Sequence, residues 1–346
     1  MNIENYLICR NATIMDALKQ LNTTQTFTLF VVDEEKKVIG ALTDGDIRRA
    51  LIAGVSMEDN VYSICLKSFR YVDDKSNTPK YIRTLKDLGI RLVPYLSADG
   101  KIEKLIDLQK MFALLPIDAV VMAGGRGERL RPLTDIMPKP LLPLGNKPIM
   151  EYNIDRIISY GIENITISVR YLGEQIKDYF GDGTAKGACI HYVDEDRPLG
   201  TLGAVSKIGH FTNEVVLVMN SDLFTDIDLE EFYLHFCETN ADMAVASIPY
   251  NVTVPYAVMQ TSDGLIRDFE EKPTYTYYSN GGIYLIKRAI LEKLEKDERC
   301  DATDLMQRLI NEGKRITYFP IVGYWIDIGK PEDYKKAQEF IKYVKR

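Results

Sequence analysis

Residues of the types that build metal clusters, disulfide frameworks or membrane spans are scarce in this sequence. Of 346 residues only five are cysteine and three are histidine, and no two cysteines have the C-x-x-C spacing typical of a zinc site. No apolar run approaches the roughly 20 residues that a transmembrane helix needs. The first ten residues place no basic stretch before an apolar one, so we expect no secretory signal. These absences predict a cytoplasmic protein with free thiols and no membrane partner.

A strongly basic surface is also absent. The formal net charge is −7 and the isoelectric point is about 5.3, which disfavours general binding to nucleic acid. The excess negative charge lies in one part of the chain, because residues 1–116 contain 16 basic and 15 acidic residues whereas residues 117–346 contain 27 and 35. Leu115 and Pro116 end one predicted element before a new strand. We therefore predict two domains, residues 1–116 and 117–346.

The first domain is predicted to be a small α+β unit containing an internal duplication. Residues 28–32 and 38–42 have the pattern of two strands joined by a polar turn, and the pattern of a helix begins at Asp46. Two strands and a short helix recur from Arg91 onward. A duplicated β-β-α unit is the simplest interpretation of this order.

From Ile117 the pattern changes to alternating strands and helices. Residues 117–123 form a continuous apolar run, which is typical of a strand covered on both faces. A glycine-rich loop follows, then a helix beginning near Pro148, and further strands are predicted at residues 164–169, 188–193 and 214–220. This alternation predicts an α/β, Rossmann-like fold with a mixed, mainly parallel sheet. In such sheets ligands bind beyond the carboxyl ends of the strands.

Residues 123–140, AGGRGERLRPLTDIMPKP, form the segment with the strongest chemical signal. The segment lacks the GxxxxGK[ST] of a P-loop, and Leu130 stands where the third glycine of a dinucleotide fingerprint would be. Residues 124–147 contain five basic and two acidic residues, a local net charge of +3 in an acidic domain. Glycine backbone N–H groups together with these cations suit a polyphosphate ligand. The alternative is a solvated turn with incidental cations.

The extended segment AGGRGERLRPLTDIMPKPLLPLGNKP resembles the signature of the sugar-1-phosphate nucleotidyltransferases. Five further segments resemble the family in the same order: PLGTLGA (198–204), NSD (220–222), FEEKP (269–273), NGGIY (280–284) and WIDIG (325–329). The resemblance implies that a sugar 1-phosphate attacks the α-phosphorus of a nucleoside triphosphate and releases pyrophosphate. Such transfers are catalysed mainly by positioning and by neutralising negative charge.

The resemblance also implies roles for particular residues. Arg129 and Lys139 are the expected catalytic cations. Asp222 and Asp327 are expected to bind Mg²⁺, which takes one or two carboxylates and completes its shell with water and phosphate oxygens. The expected nucleotide-binding residues are Ala123, Gly124, Gly125, Gly127, Glu195, Gly200 and Thr201. The expected sugar-phosphate residues are Glu271, Lys272 and Asn280. Without the resemblance, either aspartate alone would be interpreted as a helix cap or turn residue, and residues 271–273 as a surface turn.

Glu195 supports a hypothesis about the base. Uridylyl- and thymidylyltransferases of this family usually place Gln five residues before the glycine that corresponds to Gly200. A carboxylate accepts hydrogen bonds and donates none, which suits the N1–H and N2–H donors of guanine. We therefore predict GTP as the nucleotide substrate. Asp194 and Asp196 flank the position, and a merely solvated Glu195 is the alternative.

The N-terminal segment VVDEEKKVIGALTDGDIRRAL resembles half of a CBS domain pair. That family binds adenine nucleotides through a hydroxyl and a carboxylate, which here correspond to Thr43 and Asp46. We therefore expect an adenine or guanine nucleotide at this position, or alternatively a packing or dimerisation module without a ligand. In the second half we align Thr43 with Ile106 and Asp46 with Gln109, so a second ligand site is not expected. CBS pairs commonly associate, which predicts a homo-oligomer.

A CBS pair joined to this transferase resembles the enzymes that make GDP-activated amino sugars for legionaminic acid pathways. That resemblance implies glucosamine 1-phosphate as the acceptor. Alternatives within the family are a mannose-1-phosphate guanylyltransferase and a uridylyltransferase. A non-catalytic sensor of nucleotide-sugars is the alternative from another class. Such a sensor would be expected to lack the reactive cations or the metal carboxylates, all of which this sequence retains.

Overall fold

The structure is a computed structural model that describes residues 2–344. The chain divides into two compact units, residues 1–114 and 115–346, two residues before the boundary expected from the sequence. Each unit has its own buried apolar core. Among the described residues, no helix is both long and apolar enough to cross a membrane.

The first unit alternates short strands and helices. Its elements are β1 (Leu7–Cys9), α1 (Ile14–Leu21), β2 (Thr28–Val32), β3 (Val38–Thr43), α2 (Asp44–Ile52), α3 (Val61–Ile64), α4 (Pro79–Asp87), β4 (Leu92–Leu96) and β5 (Ile102–Asp107). Strands β1 to β3 form one sheet, in which β1 is parallel and β3 antiparallel to β2. Strands β4 and β5 form an antiparallel pair.

Backbone register confirms the duplication in this unit. Thr28 of β2 pairs with Thr43 of β3, and Leu92 of β4 pairs with Asp107 of β5, so an offset of 64 residues superimposes the two pairs. Val72 bridges to β4 in parallel, as β1 does to β2. Helices α1 and α4 both begin after a threonine N-cap.

Two details of the predicted duplication are wrong. The alignment of Thr43 with Ile106 and Asp46 with Gln109 is one residue out, because β4 begins at Leu92 and not at Arg91. Thr43 therefore corresponds to Asp107. The short helix expected after the second strand pair is absent from the described structure, where Asp107 instead closes a turn by accepting the Lys110 N–H at 3.0 Å.

The second unit contains the larger sheet. Its elements are β6 (Ile117–Ala123), β7 (Pro143–Leu144), β8 (Lys147–Pro148), α5 (Ile149–Ser159), β9 (Asn164–Val169), α6 (Gly173–Phe180), β10 (Cys189–Asp194), β11 (Val215–Asn220), β12 (Leu223–Thr225), α7 (Leu229–Glu238), β13 (Met243–Thr253), β14 (Val258–Ser262), β15 (Leu265–Glu270), β16 (Thr274–Lys287), α8 (Arg288–Leu291), α9 (Ala302–Asn311), β17 (Ile316–Pro320), β18 (Trp325–Asp327) and α10 (Pro331–Phe340).

Seven strands form the central sheet in the order β10-β9-β6-β11-β16-β13-β17. Only β16 runs antiparallel to its neighbours, which confirms the expected mixed, mainly parallel sheet. The continuous apolar run of β6 is buried on both faces, as its sequence pattern predicts. The carboxyl ends of β6, β9, β10 and β11 meet at one edge, where the loops after them converge.

Two smaller sheets extend this unit. β12 pairs with β18, and Leu223 lies opposite Asp327. Beyond the central sheet, β13 and β16 continue as a two-stranded ribbon, with β14 and β15 forming a hairpin between them. We call residues 249–278 the β-arm. Tyr275, Tyr277 and Tyr278 are strand residues of this arm.

Candidate active site

The glycine-rich loop after β6 forms one wall of a cavity of about 200 Å³. Ala123 ends the strand and is buried, so the loop starts from a fixed point. Arg170, the first residue after β9, donates from Nε to the Gly124 carbonyl at 3.1 Å and holds the loop against the neighbouring strand. The cavity is lined by Met122, Gly124, Gly125, Arg170, Glu195, Pro198, Leu199 and Gly200.

Glu195 faces this cavity and is 8% exposed. The Ser168 hydroxyl donates to its Oε1, and the Leu199 backbone N–H donates to its Oε2 at 3.3 Å. A Cβ on Gly124 would lie 2.4 Å from Oε1, so only glycine allows the loop to pass this closely over the carboxylate. The carboxylate is therefore held in place, and the interpretation of Glu195 as a merely solvated residue is wrong.

The two flanking acids have other partners. Asp194 forms an ion pair with Lys177 at 2.9 Å, and Asp196 forms one with Lys207 at 2.9 Å. The side chain of Asp196 is largely exposed. Glu195 is thus the member of this acidic triplet that faces the cavity.

Gly200 and Thr201 are held by a residue far along the chain. The Thr201 N–H donates to Asp301 Oδ1 at 3.1 Å. Gly200 has φ +76°, and a Cβ there would lie 2.6 Å from the same oxygen. Asp301 is also the N-cap residue of α9. Sequence analysis did not single out Asp301, Arg170 or Ser168, because each acts through a tertiary contact and belongs to no recognisable motif.

A second group of predicted site residues is built around the ion pair between Lys139 and Asp222. The Lys139 ammonium pairs with Asp222 Oδ2, and Lys139 is 8% exposed. Gly127, with φ +63°, packs against the lysine, since a Cβ there would lie 3.0 Å from Lys139 Cβ. The Thr134 hydroxyl donates to the Gly127 carbonyl at 2.9 Å. The glycine loop therefore sets the position of the lysine.

Asp327 lies beside this pair. The Ile328 N–H donates to the Asp222 carbonyl at 3.0 Å, which joins the two aspartate segments. Burial and the negative charge of Asp222 raise the pKa of Asp327, while Lys139 and Arg129 oppose the rise. Asp222 Oδ1 and Asp327 Oδ1 are buried and have no hydrogen-bond partner among the described residues. Such oxygens are expected to have a ligand.

These two oxygens fit a divalent cation. Mg²⁺ binds carboxylate oxygens and commonly takes only one or two of them from the protein. Within residues 2–344 no group of three or more His, Cys, Asp or Glu side chains could hold a metal ion. A divalent cation bound here would therefore take its protein ligands from this aspartate pair and the rest from water and substrate oxygens.

Arg129 borders the same carboxylates. It lies in a 3-10 turn, Glu128–Leu130, and is exposed. A Cβ built on Gly329 would lie 3.4 Å from both Arg129 Nη2 and Asp327 Oδ1, so the two side chains flank one backbone position. The structure thus gathers Arg129, Lys139, Asp222 and Asp327 into one cluster.

The expected sugar-phosphate residues are not gathered with this cluster. Glu271 and Lys272 lie in the turn between β15 and β16, and both are exposed. No hydrogen bond or ion pair joins either side chain to another residue in the described part of the chain. Asn280 accepts the Gly282 N–H at 2.9 Å and lines a separate cavity of about 390 Å³ beside Met306.

In the first unit, Thr43 and Asp46 form a capping box at the start of α2. Thr43 Oγ1 accepts the Asp46 N–H at 3.3 Å, and Asp46 Oδ2 accepts the Thr43 N–H at 2.9 Å. Arg49 also pairs with Asp46 at 2.6 Å. A bound nucleotide would have to share these groups with the helix, and nucleotide binding here stays a prediction.

Comparison with known families identifies the second unit. The family model described as nucleotidyl transferase matches residues 118–343, about two thirds of the chain. The chain belongs to the nucleotidyl transferase family. A CBS domain model matches residues 1–53, the first half of the duplicated unit.

Curated relatives specify the chemistry of this nucleotidyltransferase. A D-glycero-alpha-D-manno-heptose 1-phosphate guanylyltransferase from Aneurinibacillus thermoaerophilus is 32% identical over 230 residues, which cover 66% of this chain and 99% of the relative. A UTP--glucose-1-phosphate uridylyltransferase from Synechocystis is 30% identical, with 63% of this chain and 62% of the relative covered. The protein is therefore a sugar-1-phosphate nucleotidyltransferase, and relatives that use either base lie at similar identity.

A solved structure confirms the fold of the nucleotidyltransferase. The crystal structure of a Bacillus anthracis protein described as a glucose-1-phosphate thymidylyltransferase superimposes with a TM-score of 0.54. The match covers 66% of this chain and 97% of that chain at 22% identity.

Proposed function

We propose that this enzyme transfers the guanylyl group of GTP to a sugar 1-phosphate, for which we propose glucosamine 1-phosphate. An oxygen of the sugar phosphate forms the new bond to the α-phosphorus. The bond from that phosphorus to the bridging oxygen of the β-phosphate breaks, and pyrophosphate leaves with the electron pair. The observation that carries the choice of GTP is the buried, fixed carboxylate of Glu195 at the glycine-loop cavity.

Glu195 retains hydrogen-bonding capacity toward the cavity. Each carboxylate oxygen has two lone-pair sites, and the described bonds use one on Oε1 and one on Oε2. Guanine presents two adjacent donors, N1–H and N2–H, which match one carboxylate. Uracil presents a single N3–H between two carbonyl oxygens, and these would face a group that cannot donate. The heptose 1-phosphate guanylyltransferase among the relatives supports the same choice.

The cationic cluster provides charge for the phosphates. Arg129 is exposed and presents a guanidinium that suits the triphosphate and the departing pyrophosphate. Lys139 is held at a fixed position by Asp222 and is proposed to neutralise charge on the transferring phosphate. The Gly124 and Gly125 N–H groups are proposed to contact the nucleotide. Asp222 and Asp327 would hold Mg²⁺, which when bound supplies further positive charge for the phosphate oxygens.

The acceptor assignment rests on domain arrangement. On the β-arm, Lys272 is proposed to bind the sugar phosphate and Glu271 to accept bonds from the sugar. Asn280 is proposed as a further sugar contact, although it lines a different cavity from Glu195. Mannose 1-phosphate is the second candidate acceptor, and the uridylyltransferase among the relatives supports UTP as the second candidate nucleotide.

A matrix of substrates tests the proposal. The full chain would be assayed with Mg²⁺ for pyrophosphate release from GTP, ATP, UTP, CTP and dTTP, each with the 1-phosphates of glucosamine, mannose and glucose. We expect the largest kcat/KM with GTP and glucosamine 1-phosphate, confirmed by the mass of the product. A preference for UTP would contradict the role of Glu195. A preference for mannose 1-phosphate would contradict only the acceptor, and absence of turnover with every pair would favour a sensor.

A further inference from the structure

Arg170 lines the glycine-loop cavity with part of its guanidinium unused. Its Nε donates to the Gly124 carbonyl at 3.1 Å, which leaves the two terminal nitrogens, Nη1 and Nη2. In residues 2–344 no hydrogen bond or ion pair involves either of these nitrogens. The side chain is half-buried at the wall of the cavity of about 200 Å³. Its terminal N–H donors are therefore available to a ligand in this cavity.

The register of β9 and β10 brings Arg170 next to Glu195. Val169 pairs with Asp194 at the end of this parallel pair, and the Glu195 N–H donates to the Val169 carbonyl at 2.9 Å. Arg170 and Glu195 are the next residues along the two strands, and both line the cavity. The central sheet therefore fixes the relative positions of this cation and this anion.

These two opposite charges form no ion pair with each other in the described structure. The groups that hold Glu195 are neutral, namely the Ser168 hydroxyl and the Leu199 backbone N–H. A carboxylate that is only 8% exposed is costly to bury unless further groups bind it. The space that the two side chains share suits a ligand that donates to the carboxylate and accepts from the guanidinium.

The edge of a guanine ring has this order of groups. N1–H and N2–H are donors, the carbonyl O6 lies beside N1–H, and the acceptor N7 lies beside O6. Arginine forms two parallel hydrogen bonds to O6 and N7, which is the commonest specific contact to guanine in protein–DNA complexes. A carboxylate alone does not single out guanine, because the N6 amino group of adenine also donates. Adenine has that donor in the place of O6, where it would face the donors of a guanidinium.

We propose that Arg170 binds O6 and N7 of the guanine ring while Glu195 binds N1–H and N2–H. This inference rests on the proposed guanylyl transfer and adds a second residue that selects the base. Arg170 is the residue that disfavours ATP, since Glu195 accepts from either purine. The bond from Nε to the Gly124 carbonyl orients the planar guanidinium, so its terminal nitrogens keep a fixed direction.

Equilibrium binding in the absence of the sugar 1-phosphate tests this assignment, because no transfer then occurs. Calorimetric titration of the full chain with Mg²⁺ would give Kd for GTP, ATP, UTP and 7-deaza-GTP, in which a carbon replaces N7. Arg170→Met removes every donor, and Arg170→Lys keeps the charge but cannot form two parallel bonds. Arg197→Met is the matched control, because Arg197 lies in the same loop as Glu195, donates to the Asp297 carbonyl at 2.7 Å and does not line the cavity. Thermal melting would confirm that each variant is folded.

We expect the wild type and Arg197→Met to bind GTP at least about tenfold more tightly than 7-deaza-GTP or ATP. Both Arg170 variants should bind GTP about as weakly as 7-deaza-GTP. A residue that only holds the loop or attracts the phosphates would weaken both nucleotides alike. If the Arg170 variants keep the wild-type preference for GTP over 7-deaza-GTP, the role of Arg170 is overturned and the choice of GTP stands. A wild type that binds UTP more tightly than GTP would instead contradict the choice of guanine in the proposed function, and this inference with it.

Discussion

The ammonium of Lys139 forms an ion pair with the carboxylate of Asp222, 83 residues further along the chain. This pair uses only Oδ2 of the aspartate, and the buried Oδ1 has no hydrogen-bond partner among the described residues. Asp222 therefore holds the proposed catalytic lysine with one oxygen, and its other oxygen remains available to the proposed metal ion. Substitutions at and around the pair separate these two tasks.

Asp222→Asn is expected to lower turnover by at least about 10²-fold, because it removes the negative charge that pairs with Lys139 and that would bind the metal ion. Asparagine has nearly the same shape, so the melting temperature should change little. The measurement is kcat for pyrophosphate release at saturating substrates. Asp178→Asn, an exposed aspartate on α6, is the matched control. Undiminished turnover by Asp222→Asn would remove this residue from the mechanism.

The raised pKa of Asp327 predicts that, in the presence of a metal chelator, the stability of the protein depends on pH. Burial and Asp222 raise the pKa of Asp327 above its ordinary value of 3.8. The folded protein therefore holds this proton more tightly than the unfolded chain. Stability is lost as the pH rises from that ordinary value through the folded pKa, and the loss persists at neutral pH.

Asp327→Asn should consequently raise the urea midpoint at pH 7 and have little effect at pH 3. In the wild type, added Mg²⁺ should raise the pH 7 midpoint by mass action, and the variant should show a smaller increase. Urea titrations of both chains with and without Mg²⁺ provide the measurement. A lower midpoint for the variant at pH 7 in chelator would contradict the assigned cost of burying this carboxylate.

Glu195→Gln is expected to relax the choice of base. An amide donates as well as accepts, so kcat/KM with GTP should fall about 10- to 100-fold while kcat/KM with UTP rises. Asp196→Asn is the matched control, because it makes the same chemical change one residue away on a largely exposed side chain. Parallel losses with both nucleotides would show that Glu195 supports the loop without selecting the base.

Gly124→Ala and Gly125→Ala test the close approach of the loop to Glu195. A Cβ on Gly124 would meet Glu195 Oε1 at 2.4 Å, whereas a Cβ on Gly125 would meet nothing within 4 Å. We expect Gly124→Ala to reduce the free energy of unfolding by about 1–3 kcal/mol, in the range of other overpacked sites. Gly125→Ala should stay close to the wild type. Equal urea midpoints for the two variants would count against the contact.

Thr43→Ala tests the capping box in the first unit. Loss of the N-cap hydroxyl is expected to reduce the stability of that unit by about 0.5–2 kcal/mol, and Thr43→Ser should retain most of it. Hydrogen exchange of the α2 amides in the full chain would measure the change. Faster exchange in Thr43→Ala alone would support the cap, and unchanged exchange would show that the hydroxyl contributes little to the helix.

The strand at residues 117–123 and several residues of the site could be predicted from the sequence. The apolar run of residues 117–123 is a strand buried on both faces, and Asp222 and Asp327 lie together near the carboxyl end of β11. Glu195 could be singled out from its spacing to Gly200. The strand and Glu195 depend on residues close together in the chain or on a known spacing, whereas the two aspartates, far apart in the sequence, were implied by the family resemblance.

Features that depend on distant contacts could not be predicted. Asp301 holds Thr201 across 100 residues, and Ser168 orients Glu195 from the neighbouring strand. Nothing in the local sequence marks either contact. Pairing with the distant strand β13 likewise places Tyr275, Tyr277 and Tyr278 in a strand, although they come soon after the possible surface turn at residues 271–273. The register slip at β4 arose likewise, since strand ends depend on the pairing partner.

The pairing of β12 with β18 affects the stage of protein synthesis at which the candidate active site can be complete. Leu223 lies opposite Asp327 in this small sheet, so the two aspartates come together only when segments about one hundred residues apart have met. The glycine loop and Lys139 emerge from the ribosome long before Asp327 does. The pair of carboxylates beside Lys139 is therefore incomplete in a nascent chain until residue 327 has been synthesised.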